Sequence, residues 1–407
     1  MSDSDKSKTS PQEAPTRRDT IKYGGAVVGG GLLAGCIGDS DSDATPEQTE
    51  TETNTSTEET ETEDSSYSVT MAPMGTVEFE KPPERVFTDL THHAGMALAL
   101  GHGDAVTATW GGERFGPIWN NVLDGVDGVS VDWSDLPGGF NPDKELFYEL
   151  DSDLHLADPA YATWMETLTA DDVAEIESNI APWFGNTFSN GHAEPPEEWA
   201  DRYEYYTLWQ IFEQVAQVFD ERERYESLAS IRSSMGELIE NERPTEEERP
   251  TVASVQPYND AFWGYQINAP GFLYSHTRPF EAQDAFAPVL DESGEVDLEV
   301  LVDVDPDVIL VVDSIGGSRI KNVRSQLESD PVGEQLSAVE TGRVHAGGVR
   351  NQGPILNLFQ LEMTAKQLYP EQFGTWPEYQ GGPYPEIPED ERLFDRQRVA
   401  DIINGDS

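Results

Sequence analysis

The chain is nearly without cysteine and short of positive charge. Cys36 is the single cysteine in 407 residues, which excludes an internal disulfide and any paired-thiol zinc or redox site. Lysine and arginine together number 25 against 78 aspartates and glutamates, a net charge of -53. No basic stripe exists that could neutralise phosphates, so nucleic-acid binding is excluded. Such a charge strains a compact chain by self-repulsion in dilute buffer and is tolerable where concentrated salt screens it to within a few Å. High-salt surroundings, as for an extreme halophile, follow from this. A long apolar run is missing too: the stretch from Ala26 to Leu33 falls well short of the roughly 20 residues that a membrane-crossing helix needs. Catalytic signatures are also lacking. There is no Gly-x-Ser-x-Gly elbow, no tightly spaced His/Asp/Glu cluster and no Gly-Lys-Ser/Thr after the glycines near the N-terminus. His155, Asp158 and His345 lie in or beside strand patterns and read as structural, so an enzyme is not expected. Tandem repeats of the kind an adhesion protein carries are absent as well.

What is present begins with Thr16-Arg17-Arg18-Asp19-Thr20-Ile21-Lys22, which resembles a twin-arginine export motif, although it lacks the usual Phe after Asp19. The apolar run follows, and then Leu33-Ala34-Gly35-Cys36 matches the lipobox in which the cysteine is lipidated. Residues 1–35 are therefore expected to be a removed lipoprotein signal, with Cys36 anchoring the protein to the outer face of the membrane. Residues 36–66 are almost wholly Asp, Glu, Thr, Ser, Pro and Gln and cannot bury enough apolar surface to fold. They read as an extended acidic stalk.

From Tyr67 on, strand and helix patterns alternate, which argues for mostly parallel sheets with helices on their faces. Arg85–Thr88, Ala105–Thr109 and Leu154–Ala157 read as strands of a first lobe, residues 67–192. Thr251–Val255, Pro306–Val312 and Arg343–Ala346 read as strands of a second, residues 247–407. Between them, residues 193–246 carry Leu208, Ile211, Phe212, Val215, Val218 and Phe219 at spacings of three and four, the apolar stripe of an amphipathic helix. One long interlobe helix is expected there. Glu389–Ile403 reads as a further surface helix.

Two stretches repeat one phrase. Glu145-Leu-Phe-Tyr-Glu-Leu-Asp-Ser-Asp-Leu-His-Leu156 and Glu299-Val-Leu-Val-Asp-Val-Asp-Pro-Asp-Val-Ile-Leu310 each start a helix with Glu, turn at an Asp-x-Asp and enter a strand. With Leu100-Gly101, Arg343-Val344-His345 and Leu368-Tyr369-Pro370, the phrase resembles the substrate-binding lipoproteins of ABC importers for iron chelates and cobalamin. The similarity runs from about Pro83 to Pro370. It implies two α/β lobes joined by a rigid helix, a monomer that hands its ligand to a permease, and docking on permease arginines through Glu145 and Glu299. Ferric siderophore is the implied ligand, with cobalamin or haem as alternatives, and no resident cofactor is expected.

Parallel sheets bind ligands at the carboxyl ends of their strands. Loops there hold His92, His93, Trp110, Arg114, Trp183, Tyr258, Trp263, His276, Arg278 and Arg350. In a chain so poor in cations, Arg114, Arg278 and Arg350 are candidates to hold an anionic chelate by paired hydrogen bonds. Trp110, Trp183, Tyr258 and Trp263 could cover a bulky ligand's apolar faces. His92 or His93 could serve as an axial ligand, with His276 as a more distant partner, but adjacent residues of a strand-like stretch point opposite ways, so at most one faces the cleft. Too few ligands converge for a bare metal site.

Overall fold

The computed structural model describes residues 66–165, 167–259 and 261–406. The signal, Cys36 and the stalk up to residue 65 lie outside the described residues. From residue 63 to the end the chain forms one compact unit.

The first lobe opens with a hairpin, β1 (Tyr67–Met71) and β2 (Gly75–Phe79). Then come β3 (Val86–Thr88), α1 (Thr91–Ala99), β4 (Val106–Ala108), α2 (Gly112–Leu123), α3 (Lys144–Leu150), β5 (Leu154–Leu156), α4 (Pro159–Trp164) and α5 (Ala170–Asn179). Strands β4, β3 and β5 form a parallel sheet in that order, as the alternating pattern predicts.

Residues 193–246 are not one helix. They divide into α6 (Glu197–Ala200), α7 (Leu208–Val218) and α8 (Arg222–Glu242). The predicted stripe is real, since Leu208, Ile211, Phe212, Val215, Val218 and Phe219 are all at most 1% exposed. The chain breaks after Phe219 because Asp220 takes φ = 55°, a left-handed conformation that ends the helix and turns it back on itself. Only α8, 21 residues or about 32 Å at 1.5 Å per residue, is long enough to link the lobes. Near its start Arg224 donates to the Leu100 carbonyl of the first lobe, and just past its end Arg243 donates to Pro279 O of the second.

The second lobe contains β6 (Thr251–Tyr258), β7 (Ala261–Tyr265), β8 (Gln283–Asp284), β9 (Gly294–Val296), α9 (Leu298–Val304), β10 (Val308–Val311), α10 (Arg319–Ser329), α11 (Ser337–Glu340) and β11 (Val344–Ala346). Its six-stranded sheet runs β11-β10-β6-β7-β9, with β8 also on β6. The strands β6, β10 and β11 are parallel, while β7 and β9 run antiparallel beside them. The chain ends in α12 (Pro354–Leu368), α13 (Pro370–Phe373) and α14 (Arg396–Asn404).

The repeated phrase has the same structure twice. Asp143 caps α3 through Leu146 N, and Asp297 caps α9 through Val300 N. Both helices have seven residues and stop at a left-handed aspartate, Asp151 or Asp305. The last aspartate of each phrase then fastens the following strand to its sheet: Asp153 accepts from the N–H groups of Glu84 and Arg85, and Asp307 from that of Thr251. Glu145 and Glu299 are exposed in the first turns of these helices.

All 15 residues of α12 are buried. It packs against α1 and α2 of the first lobe and against α7 and α8, while Asn357 and Gln367 donate to Ser275 Oγ and Ala346 O of the second lobe, and so it joins both lobes. A Cβ on Gly353, just before α12, would lie 3.0 Å from Gly95 Cα of α1 and 2.9 Å from the Trp119 ring, so this approach requires glycine. The segment after Pro370 is no loose surface helix. Tyr384 N donates to Asn121 O in the first lobe, Tyr379 OH accepts from Gly316 N in the second, and Asn404 donates to Asp127 O. Five residues of α14 are buried.

Candidate functional site

The loops after β3 and β11 meet, with the Thr91 hydroxyl donating to Asn351 O, so the carboxyl ends of the two lobes' parallel strands face one another. From the first lobe, Trp110 follows β4 and stacks near Phe115 and Phe140, with ring centres 4.9 and 5.0 Å away. Arg114, in the first turn of α2, is exposed and lies over the Phe115 ring. Tyr161 and the exposed Trp164 stack on each other along α4.

In the second lobe, Arg350 donates to Tyr265 OH at 2.6 Å and lies over that ring, while its backbone N–H reaches Asp313 Oδ1. Asp313 follows β10 with φ = 52°, a conformation that a non-glycine residue holds only under surrounding constraint. Gln256 links the two, donating to Asp313 Oδ2 and accepting from Tyr265 OH. Arg319 opens α10 and donates to Val312 O. Burial pushes its guanidinium below the ordinary value; Asp313 opposes this and Arg114 of the other lobe adds to it. Tyr161 is pushed up to about 12, first by burial and then by Asp89, with Arg350 opposing. Arg319 thus lies within electrostatic reach of Arg114 in the other lobe, and Tyr161 within reach of Arg350, while Arg319 and Arg350 share the neighbours Asp313 and Tyr265. Among the described residues none of the three has a carboxylate within ion-pair distance. Tyr258 (45% exposed) and half-buried Trp263 stand edge to face at the β6–β7 turn.

Several expected ligand contacts belong to the framework instead. His92 and His93 begin α1 rather than a strand, and both are fully buried. His93 Nδ1 pairs with Asp89 at 2.8 Å, and the His92 ring lies against His93 and against Phe272 of the second lobe. Neither is open to a ligand. Trp183 is 1% exposed and packs on Phe147 and His155 in the first lobe's core. His276 is buried and bonds to Gln352 at 2.8 Å. Arg278 donates to the carbonyls of Ala269 and Gly271, so its charge holds a loop. Arg319 and Tyr161 are the residues that pattern reading misses. Arg319 stands well beyond the end of its strand, in a polar stretch with no apolar signal, although the scarcity of cations could have marked it. Among the described residues no cluster of three or more potential metal ligands occurs, and no helix is long and apolar enough to cross a membrane.

A family model, that of the periplasmic binding proteins, matches residues 161–348. No curated protein matches the chain. Among solved structures, a periplasmic binding protein from Veillonella parvula superposes with a TM-score of 0.52 at 15% identity, covering 75% of this chain and 91% of that one. The fold is that of periplasmic binding proteins. The iron uptake ABC transporter substrate-binding protein PiuA of Streptococcus pneumoniae gives a TM-score of 0.52 at 16% identity, over 74% of this chain and 97% of its own. CeuE of Helicobacter pylori, in a complex with Ni-His, gives 0.51 at 11% identity, over 76% and 90%. The two-lobed α/β arrangement is the one these structures share with this chain.

Several buried groups make the fold acid-sensitive. Burial pushes His155, His276 and His345 down to about 3, and His92 well below its ordinary value. Below pH 6.5 the unfolded chain takes up protons that the folded chain refuses. Unfolding free energy then falls with pH by about 1.4 kcal/mol per unit for each such histidine. Asp158 acts oppositely, because burial raises it to about 6 against the hydrogen bonds it accepts from Tyr203 and the Thr187 and Ala160 N–H groups. The folded chain therefore protonates Asp158 first and recovers part of the loss below pH 6. We expect the urea midpoint to be lower at pH 5 than at pH 7, and His276→Gln to flatten the difference. Equal midpoints at both pH values in the parent protein would contradict this.

Proposed function

We propose that the protein is the solute-binding component of an ABC importer, which captures an anionic iron(III) chelate between its lobes and presents it to a membrane permease. The observation that carries this reading is the meeting of Arg114, Arg319 and Arg350, without carboxylate partners, beside Trp110, Tyr161 and Tyr265. In a chain of net charge -53, three unpaired guanidiniums at a cleft suit a ligand with several carboxylate or hydroxamate oxygens. The aromatic rings suit its apolar faces. A ferric siderophore fits this description best. Haem, whose propionates are also anionic, is the second reading, and cobalamin, with less negative charge to offer, the third. The fold likeness to PiuA, named for iron uptake, agrees with the first. Binding and release suffice for this role, and no turnover is invoked.

The test is tryptophan fluorescence in molar salt, titrating a ferric hydroxamate, a ferric citrate-type chelate, haem and cobalamin. Saturable quenching by one ferric chelate at micromolar or tighter affinity supports the assignment. Silence with all four refutes the iron reading while leaving the fold.

Lipid on Cys36, after twin-arginine export, would hold the protein at the outer membrane face, with the acidic stalk giving it reach and concentrated salt screening its charge. It acts as a monomer. Glu145 and Glu299 dock on permease arginines, since the repeated helix places both at matched, exposed positions. Charge reversal of both, Glu145→Arg with Glu299→Arg, is expected to leave ligand affinity within about twofold, since exposed charges far from a site couple weakly to it, and to abolish uptake by cells. Normal uptake by the double variant would refute the docking role.

A further inference from the structure

A closed ring of hydrogen bonds ties together the wall of the second lobe that carries Arg350. Its members come from β7, β6, β10 and β11, or from the loops that follow them, and these strands lie side by side in the sheet. Tyr265 ends β7, and Gln256 stands in β6. The antiparallel register sets Tyr265 opposite Ser254 and Trp263 opposite Gln256, so Gln256 and Tyr265 are diagonal neighbours on one face, within reach of long side chains. Asp313 follows β10, and Arg350 follows β11. Arg350 Nη1 donates to the Tyr265 hydroxyl at 2.6 Å, Tyr265 donates to Gln256 Oε1 at 2.7 Å, and Gln256 Nε2 donates to Asp313 Oδ2 at 3.3 Å. The Arg350 backbone N–H then donates to Asp313 Oδ1 at 3.2 Å and closes the ring.

Chemistry allows this ring one direction only. A carboxylate accepts and a guanidinium donates, so Gln256 must turn its amide nitrogen to Asp313 and its oxygen to Tyr265. Tyr265 must then give its proton to Gln256 and accept from Arg350. Burial raises the Tyr265 phenol above its ordinary value, against the pull of Arg350 and with help from Asp313 and Tyr274, which keeps that proton in place. Asp313 depends on the ring as well. Its left-handed backbone, φ = 52°, is of the kind that surrounding bonds must hold, and Gln256 and the Arg350 N–H hold its carboxylate by one oxygen each.

We propose that Gln256 is the positioning residue of the binding site: without touching the ligand, it fixes where the Arg350 guanidinium stands by holding Tyr265 on one side and Asp313 on the other. This rests on the reading that Arg350 holds the anion. Arginine is long and rotamer-rich, and ordering it costs affinity when the ligand must do it. The ring orders Arg350 beforehand. Because the Tyr265 proton is committed to Gln256, the guanidinium and not the phenol supplies the donors at this wall, which suits ligand oxygens that only accept, such as those of a carboxylate.

The test compares Gln256→Leu and Gln256→Glu with the parent by fluorescence titration of a ferric hydroxamate and a ferric citrate-type chelate in molar salt. Gln256→Leu loses both bonds and should bind about tenfold more weakly. In Gln256→Glu the new carboxyl faces Asp313, with Tyr265, Arg350 and Arg319 as the other charged or titratable neighbours. Two carboxyls so close hold one proton more tightly than either does alone. With that proton the acid makes both of the glutamine's bonds, donating to Asp313 and accepting from Tyr265. The affinity of Gln256→Glu should therefore be weak at about pH 8 and recover by about pH 5.5 toward that of the parent at the same pH, while Gln256→Leu stays weak throughout. A merely structural loss would not follow pH in this way. Crystals of the ligand-free variants, with Gln256→Glu grown at about pH 8, should show the Arg350 guanidinium away from Tyr265. Should Gln256→Leu not fold, Gln256→Glu decides in both measurements. If neither chelate binds the parent, the iron reading of the cleft falls and the crystals decide the positioning by themselves. Affinity of Gln256→Leu within about twofold of the parent, no recovery of Gln256→Glu in acid, or an unmoved Arg350 would overturn the proposal.

Discussion

Replacing Arg396 by Met is expected to destabilise the protein by about 3–5 kcal/mol, the usual consequence of leaving a buried charge without its partner. Glu362 stands in the middle of α12 and is 0% exposed. Its Oε1 accepts from Arg396 and from Tyr384 OH, and its Oε2 from the Leu393 N–H. The Arg396 guanidinium in turn lies over the rings of Phe359, Tyr384 and Phe394, at 4.7, 5.0 and 5.5 Å. Removing the cation leaves the carboxylate two neutral donors and no opposite charge. The double variant Arg396→Met with Glu362→Leu removes both charges and should recover most of the loss, because well-packed apolar pairs often replace buried ion pairs at little cost. Chemical denaturation in molar salt, followed by circular dichroism, measures both. A single-variant loss under about 1 kcal/mol, a value typical of exposed pairs, would show that the pair does not hold α12 and the C-terminal segment together.

Arg350→Ala should weaken ligand binding by roughly 30- to 100-fold, the range expected when one charged hydrogen-bonding group to an anion is lost. The loss includes the positioning of Tyr265, whose hydroxyl Arg350 holds at 2.6 Å. Arg278→Ala is the informative contrast. Its guanidinium is committed to the carbonyls of Ala269 and Gly271, so it should cost about 1–3 kcal/mol of stability while affinity stays within about twofold. Fluorescence titration of the two variants beside their denaturation curves separates the roles. If Arg278→Ala lost affinity and Arg350→Ala did not, the placement of the anion would be reversed.

The two arginines also mark how far the sequence is legible. The strands that contain Phe87, Leu154, Ile309 and Val344 can be read because a short apolar run between turn signals fits little besides a buried strand. The repeated Asp-x-Asp phrase can be read because its aspartates are fixed by backbone geometry, in a left-handed turn and a strand anchor. Arg278 and Arg350 look alike in sequence, since both follow a polar turn in a chain poor in cations. What separates them is which carbonyls lie within reach, and that is set by residues distant in the chain. His92 and His93 pass for strand because the residue that precedes α1, Leu90, offers no side-chain cap, leaving no local mark of a helix. Chain position alone points Trp183 and His276 toward the cleft, whereas tertiary packing places both inside. The break at Asp220 depends on a left-handed aspartate, which no apolar period reports. The antiparallel strands β7 and β9 are short and include glycine, and so carry little strand signal of their own.

The pairing of Glu362 with residues near the chain's end also governs the order in which the molecule can be completed. Every group that satisfies that carboxylate lies between Tyr384 and Arg396. While those residues are still unsynthesised, α12 must either keep Glu362 in water or bury it unpaired, and the second option is prohibitive. The central helix cannot dock stably, and the lobes cannot settle on it, until the segment from Tyr384 to Arg396 has been made and folded against it. Docking of the two lobes on α12 is then coupled to the folding of that one segment, so neither lobe acquires its final contacts with α12 independently.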